Sequence, residues 1–362
     1  MKKILYDNQI FTFSHYGGAA RYFSDLIHNL PQSEFVAELP MHYSENHYIT
    51  ETYGHIYKKI SFPCSKWFRN RIYSSVNRRL SQNAIKNNDY EIFHPTGFNH
   101  YFLNHIKERK IPFVLTVHNI AFEHYPQDKL IYDHNTPDRK RLIAEADHII
   151  TASENTKNEI IGLLGILPSK ITVIHNGYRP VSVSAKKLFD RYVLYVGERN
   201  GYKNFYPWLS AIRQIFNFDP DLKIVCTGAP FSPSEAKLLA RWNVANRIIH
   251  IPATDAQLAS LYRHALCLVL PSHYEGFGMP IIEAFANGCP VCTSNSSSLP
   301  EVAGDAAIYF NPYDSQSMLD AFKEILVSST LREELKERGA IRSKDFSLER
   351  MVEQTCNVYK KM

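Results

Sequence analysis

Short runs of β-favouring apolar residues alternate with longer amphipathic stretches along the whole of this 362-residue chain. The first half carries Ile4-Leu5-Tyr6, Ile92-Phe93-His94 and the runs 113–117, 148–151 and 171–174. The second half carries 192–196, 222–226, 248–251, 266–270, 290–293 and 307–310. Between them, stretches such as 204–216, 232–243, 255–265 and 279–287 repeat apolar residues at helical spacing. Strand, helix, strand in this rhythm builds parallel sheets with helices on both faces. So many strands, in a chain this long, predict two doubly wound Rossmann-like domains and not one large sheet. The break is expected at 178–190, where Arg179-Pro180 and a Ser/Lys-rich tract carry little apolar pattern.

Composition narrows the setting. Hydrophobic residues at 44% and charged residues at 21% are ordinary globular values and exclude a disordered or fibrous chain. Six scattered cysteines make no disulfide framework and point to a reducing compartment. No apolar run approaches the roughly 18–20 residues that span a bilayer. Met1-Lys2-Lys3 imitates the start of a signal peptide, but Asp7-Asn8-Gln9 interrupts the apolar segment at once. A cytoplasmic protein is expected.

In doubly wound sheets ligands bind where strands end and turn into helices, and two facing domains add a cleft between such edges. One strand end reads Pro271-Ser272-His273-Tyr274-Glu275-Gly276-Phe277-Gly278-Met279-Pro280-Ile281-Ile282-Glu283. Pro280 suits the first turn of a helix, and the free N–H groups there favour an anionic or hydroxyl-rich ligand. Glu275 before the helix and Glu283 within it could each accept hydrogen bonds from a different part of that ligand, such as a ribose diol. A second strand end, Gly197-Glu198-Arg199-Asn200-Gly201-Tyr202-Lys203, offers a planar guanidinium and an ammonium to phosphate. Taken alone, each reads more readily as a solvated turn. Gly17-Gly18 after the first strand permits close backbone approach to a phosphate or acceptor, and His118-Asn119 closes another strand.

The string Pro-Ser-x-x-Glu-Gly-Phe-Gly-Met-Pro-x-x-Glu-Ala, continuing through Asn287-Gly288-Cys289-Pro290-Val291 and Ser298-Leu299-Pro300-Glu301, resembles the retaining nucleotide-sugar glycosyltransferases of family 4. That resemblance implies the GT-B fold, with two Rossmann-like domains facing a central cleft. Residues 1–180 would form the acceptor-side domain and 190–346 the donor domain, with 347–362 a last helix crossing back to the first. It implies that Glu275 contacts the donor sugar, that Glu283 holds the ribose, and that Phe277, Gly278 and Met279 contact phosphate. Lys203 and Arg199 match a phosphate-binding pair, although Tyr202 stands where many relatives have Arg. Gly17 and Gly18 resemble the family's phosphate-binding glycine loop, and His118 its histidine facing the donor sugar. His118, Lys203 and Glu275 would thus carry catalysis. Many mannosyltransferases of the family read His-Asp where this chain has His118-Asn119. Residues 1–22 and 113–126 are similar to bacterial O-antigen and capsule mannosyltransferases, which implies GDP-mannose as donor. Transfer of a hexose to a growing lipopolysaccharide-type glycan, with no cofactor or metal, is the expectation. A sugar-nucleotide epimerase and a non-catalytic nucleotide-sugar-binding subunit are the alternatives.

Asp219-Pro220-Asp221 imitates a metal-binding motif of another glycosyltransferase fold, but reads as a solvated turn. Cys289 and Cys292 have half the spacing of a zinc site and lack a second pair. Between Thr52 and Asn88 there is no Asp or Glu, while Lys58, Lys59, Lys66, Arg69, Arg71, Arg78, Arg79 and Lys86 are basic. Trp67, Phe68, Ile72, Tyr73, Val76 and Leu80 interleave with them at roughly helical spacing. Such a helix suits either the inner membrane surface, where a lipid-linked oligosaccharide acceptor would wait, or packing on the sheet with a solvated basic face. No nucleic-acid-binding motif accompanies the charge, so nucleic acid is not an expected partner.

Overall fold

The computed structural model describes residues 1–13, 16–53, 57, 65–125, 136–181, 187–199 and 201–362. Lys58 and Lys59 of the basic stretch and Asn200 of the Lys203 loop lie outside them. The chain divides into two compact units, residues 1–177 with 348–362, and residues 178–347.

In the first unit, β1 (Lys2–Tyr6), β2 (Phe35–Glu38) and β3 (Ile92–His94) make a parallel sheet in the order β2-β1-β3. A second parallel sheet has the order β4-β5-β6, from Val114–Val117, His148–Thr151 and Ile171–Val173. A parallel bridge between Phe93 and Phe113 joins the two. Ile4, Leu5 and Tyr6 are all fully buried, because a parallel strand covered on both faces needs a continuous apolar run and not an alternating one. Strand β2 escapes sequence reading: only Phe35 is buried, and its other three residues sit half-exposed on the sheet edge. A short helix, Gln9–Phe13, separates β1 from Gly17-Gly18, which opens the helix Gly18–Asn29.

The last helix, Leu348–Lys361, belongs to this first unit and buries Leu348, Met351, Val352 and Tyr359 against a core that includes Ile4 and Leu26. The Tyr359 hydroxyl lies 2.9 Å from that of Tyr6 and 2.6 Å from Nδ1 of His94, while His94 Nε2 lies 2.9 Å from Thr116 Oγ1. These buried polar groups satisfy one another, which is the condition for leaving them in a core.

The basic helix, Lys66–Asn87, packs on the unit by burying Tyr73, Ala84 and Ile85, and adds polar contacts beside them. Asn77 accepts hydrogen bonds from the His42 and Tyr43 N–H groups at 2.9 and 3.0 Å, and Ser81 donates to Asn8 Oδ1 at 2.8 Å. Phe68 and Leu80 stay exposed, at 45% and 38%.

The second unit is one six-stranded sheet, β12-β11-β10-β7-β8-β9, every observed pairing parallel. Its strands are β7 (Tyr192–Val196), β8 (Lys223–Thr227), β9 (Ile248–His250), β10 (Leu268–Leu270), β11 (Val291–Ser294) and β12 (Ala307–Phe310). Trp208, Phe205 and Phe322, all fully buried, centre its core.

Candidate active site

In the second unit the chain lays β8 and β9 on one side of β7, then returns to build β10, β11 and β12 on the other. The order reverses between β7 and β10, which pair at Leu194 and Leu268. Loops leaving the carboxyl ends of two such strands diverge and open a crevice. One loop passes through the turn Gly201–Lys203 into the helix Phe205–Ile212. The other covers 271–278 and enters the helix Met279–Ala286 with Pro280 in its first turn.

Lys203 and Glu275 meet there. Lys203 Nζ donates to Oε1 and Oε2 of Glu275, both at 2.9 Å, and Ser272 Oγ donates to Oε1 at 2.7 Å. The two side chains are 22% and 12% exposed, so the pair is shielded yet open to a ligand. Burial works against the ammonium, but the Glu275 carboxylate and, beyond it, Tyr202 and Glu198 hold the Lys203 pKa above the usual lysine value. The frame is built from backbone and small side chains. Ser297 and Ser298 donate to the Glu275 carbonyl at 2.5 and 2.8 Å, and the His273 N–H donates to the Tyr202 carbonyl at 2.7 Å. Asn204 Nδ2 ties Pro271 and Pro312 together through their carbonyls, at 3.1 and 3.0 Å.

Glu283, one turn inside the helix, accepts a hydrogen bond from the Tyr262 hydroxyl at 2.9 Å. Gly278 caps that helix at φ +98°, and a Cβ there would stand 2.8 Å from Leu299 Cδ2. Any other residue would be strained and crowded at this turn. Phe277 is buried edge-on against Phe346 at 5.7 Å, anchoring the loop by packing, while Met279 begins the helix whose first N–H groups lack intrahelical partners.

Arg199 behaves differently from Lys203. Its side chain is only 2% exposed, with Nε donating to Glu235 Oε1 at 2.9 Å and Nη2 to the Pro230 carbonyl at 3.1 Å. The guanidinium carbon lies 4.5 Å from the centre of the Phe231 ring. Burial alone would raise the Glu235 carboxyl, but Arg199, Tyr206 and Ser232 bring it down to about 2. Only Nη1 of Arg199 is buried without a hydrogen-bond partner. The two cations paired by the sequence therefore sit in different environments, one in the crevice and one inside a buried cluster.

His118, Gly17 and Gly18 belong to the first unit. The His118 ring packs edge-on to Tyr22 at 4.9 Å, burial lowers its pKa to about 4, and its Nε2 is buried without a hydrogen-bond partner. It is a neutral imidazole at neutral pH. Gly17 and Gly18 are exposed, and nothing lies within 4 Å of where a Cβ on Gly18 would stand.

Tyr262, Asn204 and Glu235 carry no functional signal in the sequence. Glu235 does read as the end of a Ser-x-x-Glu capping box with Ser232, yet its partner Arg199 lies 36 residues away. Asp219 accepts from Arg191 Nε at 3.1 and 2.9 Å, an ion pair that fixes the turn. Cys289 and Cys292 are free and buried, and burial pushes the Cys289 thiol up to about 12. Among the described residues no three His, Cys, Asp or Glu side chains gather as metal ligands would.

A family model described as Glycosyltransferase Family 4 matches residues 16–181, and one described as Glycosyl transferases group 1 matches residues 182–342. The chain is 29% identical over 317 residues to O-antigen chain mannosyltransferase B of Escherichia coli, with 80% of this chain and 79% of the relative covered. It is also 29% identical over 212 residues to O-antigen chain mannosyltransferase RfbU of Salmonella typhimurium, with 58% of this chain and 60% of the relative covered. Anabaena HepE, solved in complex with UDP and glucose, superposes with a TM-score of 0.75 over all of both chains at 16% identity, a likeness of fold. Two matched halves spanning residues 16–342, and a shared architecture, make this chain a family 4 glycosyltransferase of the GT-B fold.

Proposed function

We propose that the protein is a retaining hexosyltransferase that moves mannose from GDP-mannose to a growing bacterial surface glycan. The observation that carries this reading is the Lys203–Glu275 pair at the reversal of strand order, with Glu283 on the helix that follows. Without substrate each group neutralises the other. A bound donor exchanges those partners: Lys203 turns to the diphosphate and Glu275 accepts hydrogen bonds from the sugar hydroxyls. As the anomeric C–O bond breaks, negative charge gathers on the diphosphate, where Lys203 and the first N–H groups of the helix at Gly278 and Met279 stabilise it. The acceptor oxygen bonds to the same face of the anomeric carbon, and its proton passes to the leaving phosphate oxygen. No protein nucleophile takes part in this scheme. Glu283, oriented by Tyr262, takes the ribose diol. Gly17 and Gly18 contribute backbone to phosphate, and neutral His118 serves as the hydrogen-bonding group facing the sugar. Arg199 supports the loop, with Nη1 left for phosphate. No metal is assigned a role, and transfer is expected to survive EDTA.

A thermal-shift panel of nucleotide sugars tests the donor, because a ligand bound only by the folded state raises apparent stability. GDP-mannose should give the largest rise. An equal response to every nucleotide sugar would overturn the choice of base and hexose. Glu283→Gln should weaken binding of free GDP by about tenfold, the scale of one hydrogen bond to a charged group.

The same proposal places the protein at the inner membrane surface as a peripheral visitor to a lipid-linked oligosaccharide. Phe68 and Leu80 remain exposed on the helix Lys66–Asn87, beside exposed Arg79 and Lys86. No helix among the described residues is long and apolar enough to cross a membrane. Arg69 pairs with Glu45 at 2.9 Å and is a poor probe of this idea. Binding to anionic vesicles should fall steeply with salt and drop further in Arg79→Glu/Lys86→Glu. No binding at low salt would end the membrane assignment.

A further inference from the structure

Asn204 stands where a helix begins and does nothing for that helix. It directly precedes Phe205–Ile212, the position from which an Asn side chain normally accepts from first-turn N–H groups, yet it makes no such bond. Its backbone is left-handed at φ +57°, and the residue is only 1% exposed. Its Oδ1 is buried with no hydrogen-bond partner among the described residues. A left-handed backbone and an unsatisfied buried oxygen both cost stability. Such features persist where the surrounding structure enforces them, and they gather at functional sites.

The amide is directed to two other loops. Nδ2 donates to the Pro271 carbonyl after β10 at 3.1 Å and to the Pro312 carbonyl after β12 at 3.0 Å. A second link joins the first two loops, from the His273 N–H to the Tyr202 carbonyl at 2.7 Å. Residue 204 is thus tied to 271 and residue 202 to 273, which sets Lys203 opposite Ser272 between two cross-links. From those positions Lys203 Nζ and Ser272 Oγ converge on Glu275 Oε1, at 2.9 and 2.7 Å. The bond to Pro312 adds a brace: Tyr313, next in the chain, stacks on the His273 ring at 4.3 Å and 21°.

The two cross-links differ in what they demand of the sequence. The one between residues 202 and 273 is backbone on both sides, so it demands no particular side chain. The one at 204 needs a side-chain donor that reaches two carbonyls from a left-handed backbone, a conformation Asn tolerates better than most residues.

We propose that Asn204 is a positioning residue for transfer: its amide holds the loop of Lys203 in register with the loop of Ser272 and Glu275. The inference rests on the reading of the protein as a transferase that uses the Lys203–Glu275 pair.

Asn204→Gly tests it in the full-length protein, because Gly keeps the left-handed backbone and removes the amide. Asn204→Ser is a second variant, too short to reach both carbonyls and with a backbone that Ser297 already adopts at φ +56°. Asn243→Gly is the control, since Asn243 has the same φ of +57° and is exposed. The first measurement is acetylation of Lys203 by acetic anhydride, read by mass spectrometry. Glu275 keeps that amine protonated, so loss of register should speed its labelling about threefold or more and leave exposed Lys237 unchanged. The second is calorimetry with GDP. Asn204→Gly should weaken binding about tenfold when Lys203 is present, and by about twofold or less in a Lys203→Met background, the mark of two residues that act as a unit. Asn243→Gly should alter neither quantity. Wild-type labelling and affinity in both Asn204 variants would show that only the backbone matters and overturn the proposal. Equal losses of GDP affinity with and without Lys203 would do the same. Loss of fold in both Asn204 variants, seen by circular dichroism, would make Asn204 a core residue and also overturn it. Failure of the transferase reading shows separately, as a wild-type protein that no nucleotide sugar stabilises, while Lys203 labelling still reports on the register.

Discussion

Two sheets of the same winding reverse their strand order in the same way and surround the reversal with different chemistry. In the second unit a cation and a carboxylate, Lys203 and Glu275, close on each other across the crevice. In the first, the carboxylate Asp7 is sealed beneath a cavity and two arginines lie on aromatic rings at its lining. Topology supplies the crevice in both. Charge placement differs between them: in the second unit the cation and the carboxylate neutralise each other at the crevice, and in the first the carboxylate of Asp7 is buried and satisfied by Thr96, Gln9 and Tyr101. The sheets differ in continuity as well. The second unit's six strands are paired throughout, whereas the first unit's two three-stranded sheets meet at one bridge, Phe93–Phe113.

The largest expected effect breaks the pair in the second unit. Lys203→Met and Glu275→Ala should each lower turnover by about 10²–10³-fold, the scale for removing one preorganised electrostatic contact. Circular dichroism should be unchanged, because both side chains border the crevice. A loss of less than tenfold in either variant would mean that the pair serves only the ligand-free structure.

A smaller effect sharpens the contrast in construction. Tyr359→Phe removes the hydroxyl between Tyr6 and His94 and should destabilise by about 1–3 kcal/mol, as expected when buried polar groups lose a partner. Hydrogen exchange should quicken across residues 1–177 and 348–362 and stay unchanged across 178–347. Uniform quickening would show that the units unfold as one.

The smallest concerns pH. Burial, helped by the nearby His118, lowers the His94 pKa to about 3, and burial lowers that of His118 to about 4, from 6.5. The unfolded chain therefore binds protons first, so these histidines cost the first unit stability as pH falls through 6.5 toward 4 and 3. From pH 7 to 6 the loss is somewhat under about 1 kcal/mol per histidine. The Glu235 carboxyl, held at about 2, protects the second unit until pH falls below 4.5. The half-buried His273, also lowered, is a weaker counterpart there. Exchange measured at pH 7, 6 and 5 should loosen the first unit before the second. The opposite order would mean that His94 and His118 are not held neutral in the fold.

Much of the fold was legible from local pattern. All six strands of the second unit and five of the first lie where short apolar runs predict them. Strand β2 was not, because an edge strand with one buried residue leaves no run to read. The spacing of Glu275 and Glu283 puts one before a helix and the other a turn inside it, since strand end, glycine cap and Pro280 follow one another directly.

The sequence by itself determined the two-unit winding, the family and the strand ends worth inspecting. These follow from residues within a few positions of one another, where periodicity, glycine and proline act. Only the tertiary structure decided who partners whom. It joined Lys203 to Glu275 across 72 residues and His94 to Tyr359 across 265. It drew Arg199 away to Glu235, and it set the exposed Arg78 over the Tyr101 ring. Such contacts depend on the order in which strands are laid beside one another, and so on the energy of the whole packed sheet, which no local stretch of sequence displays.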